Sequence, residues 1–133
     1  MYNVMITFDE AGAMLDDIAD EIPEALFNEL NGGITLLPNA RRDHEGRGFG
    51  GLYILGEYCH DPLGLGRYIK IYFGSFKRVF GNIGHAGMKN ELRKTLVHEI
   101  THHVESLAGE CGLEIKDAIE LEKYKRKFML EDE

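Results

Sequence analysis

"LRKTLVHEITHHVESLAGE", residues 92–110, decides how the rest of the chain must be arranged. Leu92, Leu96, Ile100, Val104 and Leu107 recur at intervals of four or three, and at about 100° per residue they fall within one arc roughly 120° wide. The spacing predicts a helix from about Lys89 to Ala108, free of proline and internal glycine and closed by Gly109. So broad an apolar stripe must be covered, and the remaining sequence has to supply the cover.

Upstream, "LYILGEY" at 52–58 and "RYIKIYF" at 67–73 are rich in β-branched and aromatic residues. In the second, Ile69, Ile71 and Phe73 alternate with Tyr68, Lys70 and Tyr72, the period of a half-buried strand. "CHDPLGLG" between them is turn chemistry and predicts an antiparallel pair. Farther back, "FDEAGAMLDDIADEIPEALFNELN" at 8–31 places Met14, Leu15, Ile18, Ile22, Leu26, Phe27 and Leu30 at helical spacing. Pro23 either splits this segment or supplies the first turn of a second helix. Gly32 and Gly33 end it, and "ITLLP" at 34–38 reads as a short strand stopping at a proline. The polar, glycine-rich stretch 39–51 reads as a mobile loop, "SFKRVFGN" as one helical turn and "IGHAG" as a loop; a last helix covers roughly Lys116 to Leu130. Helices, strands, then helices again predict an α+β fold: a small, mostly antiparallel sheet with helices on one face, in a single domain over 1–133. Parallel α/β winding does not suit this order.

Composition narrows the classes of partner. A net charge of −8 opposes binding to a phosphate backbone, which needs cations to displace condensed counterions. The basic clusters Arg41-Arg42 and "KYKRK" at 123–127 are short, and the second suits the end of a helix, where cations complement the macrodipole. No segment approaches the roughly twenty apolar residues of a membrane span. The opening "MYNVMITFDEAGAML" has neither a basic leader nor a continuous apolar run, so the expected location is cytoplasmic, with Cys59 and Cys111 as free thiols.

The other side of the long helix carries the chemistry. His98 and His102 lie four apart, about 40° from each other on the wheel, on a side shared with Thr95 and Glu105. Glu99 projects about 60° from His102, between the histidine pair and the apolar arc. In the pattern H-E-x-x-H, one helical turn brings two imidazole nitrogens to a single Zn²⁺, and the glutamate takes a proton from the water the metal activates. His103 falls inside the apolar arc and is expected to pack there as a neutral ring bonded to a backbone carbonyl.

With its flanks, this stretch resembles the small zincin-like metallopeptidases of bacteria, the mini-zincins, which place an acidic helical segment first, then a few strands, then a helix with "HE-x-x-HH". The resemblance implies a zincin-like fold, a zinc cofactor, hydrolysis of a peptide or protein substrate, ligand roles for His98 and His102 and a base role for Glu99. Related sites continue as H-E-x-x-H-x-x-G-x-x-D, but here Glu105 and Ala108 stand at the glycine and aspartate positions. A turn at Gly109 would offer Glu110, the favoured third ligand, with Glu105, Glu114 and Asp117 as alternatives. His85 and Tyr124 are candidate donors to an oxyanion, although packing roles suit both better, and His44 and His60 sit among turn residues. The alternative function is a zinc-binding or peptide-interaction domain that keeps a zincin frame with little or no turnover.

Overall fold

The computed structural model describes residues 5–43, 52–111, 115–128 and 130. Helix α1, Phe8–Glu21, begins with a reciprocal cap: the Thr7 hydroxyl accepts the Glu10 N–H at 3.1 Å, and the Glu10 carboxylate accepts the Thr7 N–H at 2.8 Å. Such a cap satisfies two donors, one of them in the first turn, that lack partners within the helix. Pro23 then splits the segment, and a short 3-10 turn follows at Glu24–Phe27.

Five strands follow among the described residues: β1 (Gly33–Leu37), β2 (Arg41–Arg42), β3 (Tyr53–Ile54), β4 (Gly56–Asp61) and β5 (Gly66–Tyr72). β4 and β5 form the antiparallel pair expected from their alternation, with Tyr58 opposite Ile69 and Gly56 opposite Ile71. β1 adds to the other side of β5 in parallel, so the sheet β1-β5-β4 is mixed and not mostly antiparallel. The sequence of β1 specifies a strand but not its neighbour. Close approach is made possible by Gly32, where a Cβ would lie 2.7 Å from the Tyr68 Cβ and 2.9 Å from the Leu65 carbonyl oxygen. "LYILGEY" is broken at Leu55, whose carbonyl accepts the Tyr72 N–H at 2.8 Å; β3, on its near side, pairs with β2 in a separate antiparallel ladder. Most of the loop expected at 39–51 lies outside the described residues, while Arg41 and Arg42 within it are β2.

Three helices follow among the described residues. α2, Phe73–Phe80, runs for two turns where one was expected, α3 spans His85–Cys111, and α4 spans Ile115–Lys127. α3 therefore absorbs His85, expected in a loop, and passes through Gly109 without turning. Gly109 is exposed, and a side chain there would meet nothing within 4 Å, so no contact forces the chain to leave the helix.

Ile69 and Ile71 of β5, Leu92, Leu96 and Ile100 of α3, Ile18 of α1 and Phe76 of α2 are fully buried in one continuous core. Each contributes about 1.5–3 kcal/mol through removal of its side chain from water. The same alternation leaves Thr35, Glu57, Cys59, Tyr68 and Lys70 on the opposite face, half-buried or exposed. Among the described residues no helix is long and apolar enough to cross a membrane.

Candidate functional site

The wheel read from the sequence is realised on α3. Leu92, Leu96, Ile100 and Val104 are buried, His98 is half-buried and His102 is exposed. The Nε2 atoms of His98 and His102 stand 3.2 Å apart, with the rings nearly perpendicular at 87°. That separation suits an N–H···N bond between the rings, and equally two donors sharing one ion. Two Zn–N bonds of about 2.0–2.1 Å at a tetrahedral angle put their nitrogens about 3.3 Å apart. The Nδ1 of His102 faces Glu105 Oε1 at 3.6 Å, so this glutamate stands behind the ring that the Nε2 atom would use for a metal.

Glu99 is only 4% exposed. Burial pushes its carboxyl up to about 7, the negative charge of Glu57 adds to the rise, and a hydrogen bond from the Tyr58 backbone N–H opposes it. Glu57 is itself held: its Oε1 accepts Arg41 Nη1 at 2.6 Å and the Tyr72 hydroxyl at 2.6 Å. Thr95, placed by the wheel on the histidine side, is buried instead, because β4 crosses α3 there. Its hydroxyl has no hydrogen-bond partner among the described residues.

His103 is fully buried, as its place in the apolar arc required. Its Nε2 donates to the Asn28 carbonyl at 2.7 Å, which leaves Nδ1 to accept from the Tyr58 hydroxyl at 2.8 Å. Arg67 Nη1 donates to the same hydroxyl at 3.0 Å and also to Ser106 Oγ. Burial, reinforced by the Arg67 charge, holds the His103 pKa below its ordinary value.

For the third ligand, the side chains of Glu110 and Asp117 and all of Glu114 lie outside the described residues. The backbone at Glu110 is helical, so the turn that was to bring it back does not occur at Gly109. No group of three or more His, Cys, Asp or Glu side chains able to hold a metal is found among the described residues. His85 pairs with Glu10 at 3.2 Å, about 20 Å along the helix axis from His98 at 1.5 Å per residue. Tyr124 is buried and donates to Glu21 at 3.2 Å; burial, with Glu21 beside it, pushes its hydroxyl up to about 12. Both have the packing and pairing roles that suited them better. His60 is exposed at the end of β4, and His44 lies outside the described residues.

Glu57, Gly56 and Tyr58 were not singled out in the sequence, and Arg41 was noted only as half of a short basic cluster. The alternation of β4 could have assigned Gly56 and Tyr58 to one face, but only the register with β5 shows that this face meets Glu99.

No protein-family model matches the sequence, and no curated protein matches it. Among solved structures, the chain is similar to a conserved hypothetical protein from Thermus thermophilus, at 32% identity and a TM-score of 0.64. The match covers 77% of this chain and 98% of that one.

Proposed function

We propose a zinc-dependent peptidase, zincin-like in fold and cytoplasmic, for a chain that belongs to the same family as the conserved hypothetical protein from Thermus thermophilus. The observation that carries the reading is the 3.2 Å between the two Nε2 atoms one helical turn apart, close to the edge of a tetrahedral zinc site. His98 and His102 would hold the ion, and a third ligand would come from Glu110 or from Glu105, Glu114 or Asp117. When bound, the ion supplies Lewis acidity to the scissile carbonyl and to the attacking water.

Glu99 is the general base in this reading. It lies beside His98 on the same turn, where a carboxylate next to the ion could take a proton from water and pass it to a leaving amine. Among the described residues β4 is the outer strand of its sheet, and α3 packs against it. Leu55 bonds inward to Tyr72, so by the alternation of an antiparallel pair the main-chain groups of Gly56, Tyr58 and His60 face the edge that has no partner strand among the described residues. An extended peptide can add there through main-chain bonds. The net charge of −8 favours such a substrate over nucleic acid, and the free thiol of Cys59 suits a reducing compartment.

The test is hydrolysis of a broad peptide library by untagged protein. Cleavage is expected to stop with a chelator and return with Zn²⁺, and Glu99→Gln is expected to abolish turnover while the metal stays bound. Undiminished turnover in Glu99→Gln refutes the mechanism. Stoichiometric zinc with no cleavage by the parent protein favours the peptide-interaction domain instead.

A further inference from the structure

We infer that Gly56 and Tyr58 are positioning residues for Glu99, fastening β4 to α3 at successive heights so that the carboxylate is held in one orientation. This rests on the reading of Glu99 as the base. The first height is Gly56. A Cβ there would lie 2.9 Å from Thr95 Cγ2, 3.2 Å from Ile71 Cδ1 and 3.3 Å from Glu99 Cγ, so the strand touches the turn of α3 that carries the base. A methyl group there would have to push aside the side chains of Thr95, Ile71 and Glu99, which only glycine leaves in place.

The second height is the Tyr58 N–H, which faces the Glu99 carboxylate closely enough to oppose the rise that burial imposes on it. This main-chain group belongs to the edge of β4 that does not pair with β5, so the carboxylate lies against β4 at this residue and leaves the neighbouring groups of that edge unaffected. The third height is the Tyr58 side chain. Its hydroxyl donates to His103 Nδ1 at 2.8 Å and accepts from Arg67 Nη1 at 3.0 Å, while His103 is tied on its far side to the Asn28 carbonyl. The donor and acceptor positions of this hydroxyl are both used, which fixes the main chain of residue 58 relative to α3. Tyr58 thus joins the buried histidine to the base, one turn apart on the same helix.

Three measurements on the zinc-loaded full chain test this. Gly56→Ala is expected to lower kcat for a peptide the parent cleaves by about tenfold to a hundredfold, the loss associated with a displacement near 1 Å. KM and zinc content are expected to stay the same. Unchanged kcat, or a loss confined to KM, overturns the inference. Should Gly56→Ala fail to fold, Tyr58→Phe, which keeps the ring and removes the hydroxyl, is expected to lower kcat with KM unchanged; an unchanged kcat again overturns it. The third readout needs no turnover. Hydrogen exchange at the Tyr58 amide is expected to speed up by an order of magnitude in Glu99→Ala, and equal exchange in parent and variant refutes the contact even if no peptide is cleaved. Absence of cleavage with a protected Tyr58 amide counts against the peptidase reading alone.

Discussion

Glu99→Gln separates the cost of burying this carboxylate from the chemistry proposed for it. In the metal-free fold the carboxyl is raised from 4.5 to about 7, by burial first and by Glu57 second. The neutral acid is thus the form the fold prefers. Below about pH 4.5 both folded and unfolded chains carry the proton; as pH rises, the unfolded chain ionises first, and stability falls until the folded carboxyl has ionised as well. A displacement of about 2.5 pKa units at about 1.4 kcal/mol each amounts to about 3 kcal/mol of stability lost between pH 4.5 and pH 8. Glutamine keeps an oxygen to accept the Tyr58 N–H and cannot ionise. The assay is urea unfolding of chelator-treated parent and variant across this range, read as the difference between them. That subtraction cancels carboxylates such as Glu10 and Glu21, whose lowered pKa values give slopes of the opposite sign. The variant is expected to gain about 3 kcal/mol relative to the parent between the two ends of the range. A difference that stays flat with pH refutes the buried, destabilised carboxylate.

Three substitutions probe the surroundings by the same unfolding assay. Thr95→Val removes a buried hydroxyl without a partner among the described residues, so stability is expected to hold or rise by about 1 kcal/mol, and a loss larger than that contradicts the orphaned hydroxyl. His103→Ala strands the Asn28 carbonyl and the Tyr58 hydroxyl and opens a cavity, which is expected to cost about 3 kcal/mol or more; a cost below about 1 kcal/mol refutes the network. Tyr124→Phe loses one hydrogen bond to Glu21 and is expected to cost about 1 kcal/mol with peptide cleavage unchanged, whereas a collapse of kcat returns Tyr124 to the role of oxyanion donor.

The parts of the fold legible in the sequence are those written as local periodicity. Leu92, Leu96 and Ile100 at helical spacing and Ile69 and Ile71 at alternate positions are buried as their patterns require. Pro23 breaks the first helical segment for a reason confined to its own ring. Pairing across long separations was not legible, and the parallel addition of β1 to β5 shows why: "ITLLP" states that a strand forms, while its neighbour is fixed by packing and by the close approach at Gly32. Gly109 illustrates the opposite error. Glycine is favoured just past a helix end but is tolerated within one at a cost of about 1 kcal/mol, and α3 continues through it to Cys111.

The candidate site divides in the same manner. His98, His102 and the inward turn of His103 follow from angles on one helix. The burial of Thr95 and Glu99 does not, because it is imposed by β4, far earlier in the chain, crossing the helix at a glycine. Glu57 likewise reaches the neighbourhood of Glu99 only through sheet register, and Arg41 meets Glu57 there.

The most direct test of the proposed metal site is anomalous diffraction at the zinc absorption edge from crystals of the untagged, zinc-saturated protein. One peak is expected about 2.0–2.1 Å from the Nε2 atoms of both His98 and His102. No peak at this pair, or a peak only elsewhere on the chain, would contradict it.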